Sequence, residues 1–166
     1  MSGFEKLFAD LNAHGVRYVV VVGVATVLHG YARLTADLDV IIDLERAAAE
    51  NAMRAFTELG MRPRAPVDAL DFADPDKRRA WIADKGMRVF SLHDPSDPFR
   101  EVDVFVEELI PFSEVWQRAE TMDLGSTTVR VASIRDLITL KRIAGRPQDL
   151  EDIEALEAIE RAKNDD

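Results

Sequence analysis

Apolar residues at Phe4, Leu7, Phe8 and Leu11 recur at helical spacing, which predicts a helix over residues 4–13 with Gly15 as its stop. Residues 17–22, RYVVVV, are β-branched and almost wholly apolar, the pattern of a strand covered on both faces. Gly23 ends that strand, residues 24–29 read as a short helix, and Gly30 stands at its C-cap. A second strand is predicted over 37–44 and an alanine-rich helix over 47–59, closed by Gly60. Residues 61–73 carry Pro63 and Pro66 with little periodicity and read as a loop, and 75–84 as a short helix. MRVFSL (87–92) and EVDVFV (101–106) are predicted as strands flanking a turn-rich loop, HDPSDPFR. A short helix over 112–118 and a strand over 127–131 follow. Ser133 opens a helix to about Ala144, with Asp136 at capping-box spacing, and Pro147 opens a last helix to about Lys163. This order predicts an α/β (α+β) fold, a mixed β-sheet flanked by helices with a C-terminal helical pair. By length it reads as one compact domain, a core over 1–132 with the helices of 133–166 packed on it.

Composition narrows the function classes. With 47% apolar and 31% charged residues the chain is ordinary for a soluble globular protein. No apolar run approaches the roughly 18 residues a membrane span needs, and the N-terminus lacks a signal-peptide pattern. There are no cysteines, hence no disulfide framework, thiolate zinc site or thiol nucleophile. A cytoplasmic protein with no membrane partner is expected. The 31 acidic and 21 basic residues give a formal charge of −10, which argues against broad duplex binding through phosphate neutralisation. A small phosphorylated ligand, or a nucleic acid held by one basic patch, remains compatible. Lys77-Arg78-Arg79 is the best candidate for an RNA-acceptor patch, although such a run is usually a solvated helix face.

The candidate chemistry lies in GYARLTADLDVIIDL. Residues two apart on a strand share a face, so Asp37 and Asp39 project side by side at the mouth of an apolar run. Adjacent carboxylates repel unless a cation sits between them, and Mg²⁺ is the natural cation for an all-oxygen site. Asp103, in the apolar frame Val102-Asp103-Val104-Phe105-Val106, is a third carboxylate of the same kind. Three such aspartates on adjacent strands would form a phosphoryl-transfer site. The other reading of each is a solvated strand end or outer face. Upstream, VVVVGVATVLHG passes from strand to helix through Gly23, where backbone N–H groups can meet a phosphate. Arg33 and Thr35, just before the aspartates, are placed to hold a phosphate or orient the loop. His29 could face a nucleotide or be a helix-end structural residue. Trp81 and Trp116 read as partly buried core or interface residues.

The string GVATVLHGYARLTADLDVII, followed later by VDVF, resembles the nucleotidyltransferase superfamily of the DNA-polymerase-β type. Its pattern is a glycine turn, a short helix, D-x-D and a third Asp on a later strand. Arg33-x-Thr35-x-Asp37-x-Asp39 resembles the form in small bacterial nucleotidyltransferases, AbiEii-like and related toxin–antitoxin enzymes, and more distantly the lincosamide and aminoglycoside nucleotidyltransferases. VASIRDLITLKRIAGRPQDLEDIEAL resembles the C-terminal part of the same bacterial group. The resemblance implies the nucleotidyltransferase fold and a Mg²⁺-dependent enzyme, with Mn²⁺ as the alternative ion. Such an enzyme moves an NMP from an NTP, ATP among them, to an acceptor hydroxyl on RNA, protein or a small molecule and releases pyrophosphate. It implies Asp37 and Asp39 as metal ligands, and Asp103 as a third ligand or the base for the acceptor hydroxyl. It places Gly23 and Val24 at the phosphates and gives Lys141 the part of a point charge on the triphosphate, with Asp149 supporting Lys141 or Arg146. A toxin-type setting implies a cognate antitoxin protein. Val24 stands where the family's turn usually carries Gly or Ser. That departure favours the alternative, a non-catalytic member of the fold that binds a nucleotide or a partner. A third reading, an antibiotic-modifying enzyme, draws on the acidic balance, which would suit a cationic aminoglycoside.

Overall fold

Four apolar, mostly β-branched segments fix the middle of the sheet, and the helices arrange themselves around it. A computed structural model of the chain describes residues 2–31 and 37–165. Its first half holds α1 (Ser2–Ala13), β1 (Tyr18–Val21), α2 (Val22–Leu28), β2 (Leu38–Ile42), α3 (Arg46–Glu58) and β3 (Arg62–Pro63). A 3-10 turn (Ala69–Ala73), α4 (Pro75–Lys85), β4 (Val89–Asp94) and β5 (Asp97–Phe105) follow. The remainder comprises α5 (Phe112–Arg118), β6 (Glu120–Asp123), β7 (Thr128–Val131), α6 (Ile134–Ala144) and α7 (Pro147–Asn164). The strands form one seven-stranded sheet in the order β3-β4-β5-β2-β1-β7-β6. It is mixed: β2 runs parallel to β5 and β1 to β7, while β1–β2, β3–β4, β4–β5 and β6–β7 are antiparallel.

Strand alternation sorts side chains between the two faces. Tyr18, Val20, Leu38, Val40, Val102 and Val104 share one face by register, and all six are buried. Phe8 of α1 stacks on Tyr18, and Phe90 of β4 lies against Phe72 and Trp81, so helices and the 3-10 turn close that face. The opposite face carries Asp39 and Asp103 and is approached by α2, α6 and α7, with α6 packed on both α2 and α7. Local signals place this helical pair. The Ser133 hydroxyl accepts the Asp136 N–H (3.1 Å), Gly145 ends α6 in the left-handed region (φ 64°), and Pro147 occupies the first turn of α7.

Four expectations are corrected. The loop expected over 61–73 contains β3 and the 3-10 turn. The eight-residue hairpin loop shrinks to Pro95 and Ser96, because the Asp94 carboxylate accepts from the Ser96 N–H (2.9 Å) and hydroxyl (2.7 Å) and tightens the turn. The polar stretch of β6 was not expected as a strand; it forms a sheet edge by pairing with β7. The strand–helix turn comes earlier than expected, with β1 ending at Val21 and α2 starting at Val22, so Gly23 lies inside the helix. Among the described residues no helix is long and apolar enough to cross a membrane.

Candidate active site

The parallel pairing of β2 and β5 sets Asp39 directly beside Asp103, and β4 sets Ser91 on Asp103's other side. Neighbouring strands lie ~4.8 Å apart, so the two carboxylates are close neighbours on one face. The Ser91 hydroxyl donates to Asp103 Oδ1 at 2.7 Å. Glu101 falls on the same face two residues before Asp103 and accepts from Arg64 Nε. Asp37, just ahead of β2, lies within the electrostatic reach of Asp103, Glu101 and Arg64.

Those neighbours act on one another's protons. Burial pushes the Asp39 carboxyl up to about 7, with the Asp103 and Asp37 charges adding and Lys141 and Arg146 opposing. Asp103 is raised by burial and by Glu101, while the Ser91 hydrogen bond and Arg64 hold it back. Asp37 is raised by burial and then by Asp103 and Glu101. The result is a row of carboxylates that repel each other at neutral pH.

Across from the row, the α6–α7 turn supplies cations. Lys141 Nζ donates to Asp152 Oδ2 at 2.8 Å, and the two side chains are 2% and 3% exposed. Arg146 donates through Nε to Asp149 Oδ2 (2.8 Å) and through Nη2 to Oδ1 (3.2 Å), and its backbone N–H also reaches Oδ2 (3.0 Å). A cavity of about 490 Å³ lies between the two groups. Asp39, Arg88, Asp103, Glu107, Lys141, Arg146 and Asp149 form its polar wall, and Val89, Phe105, Leu109, Leu140 and Ile143 an apolar one. Val22 lines it too, with φ of 62°. A β-branched residue in the left-handed region is strained by roughly 1–3 kcal/mol, a feature that clusters at functional sites.

Of the residues singled out in the sequence, Asp39, Asp103, Lys141 and Asp149 converge on this cavity, with Asp37 at its edge. Arg33 and Thr35 lie outside the described residues. The left-handed residue of the turn is Val22, not Gly23, and Val24 is fully buried in the core. Lys141, expected as a charge reaching for the triphosphate, is sealed against Asp152. His29 faces away: its side chain is enclosed, and Nε2 lies 2.8 Å from the Ala132 carbonyl, which makes it the donor and ties α2 to the end of β7. The Lys77-Arg78-Arg79 run is consumed locally. Lys77 pairs with Asp71 (2.7 Å), Arg78 is buried over the Phe72 ring and donates to the Phe72 carbonyl, and Arg79 pairs with Asp76.

The match to known proteins agrees with this layout. Residues 4–165 match the model of a family described as a nucleotidyltransferase of unknown function (DUF6036). The chain belongs to this family. An antigenic nucleotidyltransferase-like protein from Paracoccidioides brasiliensis shares the fold, with a TM-score of 0.55 and 16% identity over 93% of this chain and 73% of that one. No curated protein matches. The nucleotidyltransferase fold expected from the sequence is therefore present, with its mixed sheet and flanking helices.

The sequence reading missed Ser91, Glu101 and Arg64, and gave Arg146 only as one of two partners for Asp149. Glu101 was within reach, since the alternation that exposes Asp103 in EVDVF places Glu101 on the same face. Ser91 and Arg64 had no signal, because they join the row only through strand pairing and loop path. Among the described residues no three carboxylate or imidazole groups converge closely enough to hold an ion as they stand. The donor set nonetheless fits a hard divalent cation. It is all oxygen, and Asp39 is held near neutrality by the burial and like charges that such an ion would offset.

Proposed function

We propose that the cavity is the active site of a Mg²⁺-dependent nucleotidyltransferase that moves an NMP from an NTP to an acceptor hydroxyl and releases pyrophosphate. The observation that carries this reading is the register of Asp39 on Asp103, which sets two carboxylates on one buried wall with cations opposite. Asp39 and Asp103, with Asp37 beside them, would hold the ion, which when bound neutralises phosphate charge and favours the acceptor oxygen as nucleophile. The chain's own groups do the rest. On the far wall Arg146 presents an exposed guanidinium to an anionic ligand, while Lys141 is paired with the buried Asp152. Asp103 Oδ2, the oxygen that Ser91 does not engage, is the one available to take the acceptor's proton. The apolar wall excludes water around the reacting groups and offers Phe105 to a flat, apolar part of a substrate.

The likeness of the Arg33–Asp39 segment and of the C-terminal block to AbiEii-like enzymes supports a finer reading. The protein would be a toxin–antitoxin-type, cytoplasmic enzyme acting on RNA or protein, with an antitoxin as partner. Calorimetry with ATP, CTP, GTP and UTP, each with and without Mg²⁺, tests the core of the proposal. Metal-dependent binding that disappears in Asp37→Ala/Asp39→Ala supports it and names the donor. A folded protein that binds no NTP at millimolar concentration sinks it. That outcome would favour a partner-binding member of the fold, the reading to which the strained Val22 and the buried Val24 point.

A further inference from the structure

Two ion pairs of the same construction flank the cavity, yet they differ in what a ligand can reach. Asp149 and Asp152 are three residues apart on α7 and therefore share a helix face. Both are buried, at 1% and 2%. Each is mated to a cation that lines the cavity, Asp152 to Lys141 and Asp149 to Arg146. The Lys141 side chain is 2% exposed, and its charge is answered at 2.8 Å. The Arg146 side chain is 65% exposed while its Asp149 anchor is 2% exposed. A guanidinium carries five N–H donors in a rigid fork, and Asp149 engages only the Nε–Nη2 edge. The Nη1 hydrogens and one Nη2 hydrogen are not used by that pair.

We propose that Arg146 binds the anionic end of the substrate, a polyphosphate, and that Asp149 is the positioning residue that holds the Arg146 guanidinium at the cavity. This rests on the nucleotidyltransferase reading above. It changes the part that the family resemblance gives to Lys141, and of the two partners the resemblance allows Asp149 it takes Arg146. Asp149 accepts from Arg146 with both oxygens and its side chain is 2% exposed, so it acts through Arg146. The sealed Lys141 spends its charge on Asp152, whereas the exposed arginine makes the contact. An anchored fork also loses less freedom when a phosphate arrives than a free side chain does. Arg146 feels the Asp39 charge as well, so a ligand on Arg146 lies within electrostatic range of the carboxylate row.

The test titrates the full chain with Mg·NTP and with inorganic tripolyphosphate, in wild type, Arg146→Ala, Arg146→Lys, Asp149→Asn and the Arg146→Ala/Asp149→Asn double variant. Arg146→Ala is expected to weaken binding of both probes about 10–100-fold, as loss of charged hydrogen bonds would. Arg146→Lys keeps the charge without the fork and is expected to recover only part of the affinity at an unchanged melting temperature. Asp149→Asn is expected to weaken binding several-fold in the wild-type background and to add nothing in the Arg146→Ala background. That non-additivity is the readout a merely structural aspartate would not give. Should Asp149→Asn fail to fold, Arg146→Lys still decides, since it leaves the buried anchor in place. Wild-type affinity for tripolyphosphate in Arg146→Ala and Arg146→Lys overturns the proposal, and an additive double variant overturns the part given to Asp149. Binding of Mg·NTP that ignores Arg146 sinks this inference alone. Arg146-dependent binding of tripolyphosphate with no binding of any NTP supports it and sinks the nucleotide reading. A wild type that binds neither probe overturns both.

Discussion

The two faces of β2 and β5 are built from alternating residues of the same strands and have opposite energetics. Leu38, Val40, Val102 and Val104 point one way, are fully enclosed, and pack under α1, α3 and the aromatic cluster of Phe72, Trp81 and Phe90. Asp39 and Asp103 alternate with them and point the other way, half-buried, toward like charges and a cavity. The first face lowers the free energy of the fold by removing apolar area from water, about 25 cal/mol per Å². The second face raises it, because carboxylates are desolvated beside one another without full compensation. A strand period of two lets one segment do both, since each face can be set without disturbing the other.

The largest effects should come from breaking what holds the enclosed parts. Leu38→Ala removes a fully buried side chain and should destabilise the protein by about 2–5 kcal/mol, with m-value unchanged, in urea melts. Lys141→Met belongs to the same range, about 3–5 kcal/mol, because it leaves the Asp152 carboxylate buried without its cation. A loss under 1 kcal/mol in Lys141→Met would show that the pair opens to water in solution. Replacing both partners, Lys141→Met with Asp152→Leu, should recover much of the loss, since an apolar pair needs no compensation.

The enclosed face was also the legible one. Helical spacing in α1 and α3 and the β-branched run of β1 announce their own burial, because the solvent-facing and core-facing positions differ in kind. Asp39 and Asp103 stood out for the same reason, as charges in an apolar frame. What the sequence did not carry was pairing. Nothing in EVDVF says which strand lies beside it, so the meeting of Asp103 with Asp39 and Ser91 required the sheet order. β6 is held by backbone bonds to β7 and has little apolar pattern, so its ETMD stretch gave no signal. The turn from strand into helix was read at Gly23. It falls instead on Val22, which the passage from β1 into α2 puts in the left-handed region.

Asp39→Asn tests the polar face from the opposite side, by removing its penalty. An ordinary unfolded aspartate titrates near 3.9, whereas burial and the Asp103 and Asp37 charges lift folded Asp39 to about 7. Between those values the folded protein holds a proton that the unfolded chain does not, so this group's contribution falls as pH rises from about 4 to 7 and is flat above. Asparagine is neutral throughout. In metal-free buffer Asp39→Asn should therefore be more stable than wild type at pH 8, and the advantage should vanish below about pH 4. The full shift would correspond to roughly 4 kcal/mol at 1.36 per pH unit, and a half-buried group should realise about 1–2 of it. Urea melts at the two pH values measure it, and an Asp39→Asn protein less stable than wild type at pH 8 would contradict the account of this face.

The smallest change, Ser91→Ala, asks whether the polar face is organised at all or merely tolerated. The Ser91 hydroxyl lies 2.7 Å from Asp103 Oδ1, and its hydrogen bond holds that carboxyl down against burial and Glu101. Its removal should raise the Asp103 carboxyl further and lower stability at pH 8 by about 1 kcal/mol, a usual value for a part-buried hydrogen bond. The loss should shrink at acid pH, where the carboxyl is neutral in either protein and the bond to a charge no longer exists. Carbon-detected titration of Asp103 in the two proteins reads the first effect, and paired urea melts the second. If the carboxyl titrates identically in both, the Ser91 bond does not form in solution and β4 contributes only its backbone to the row. If it rises as expected, β4, a strand that carries none of the three aspartates, is already tuning the charge of the site.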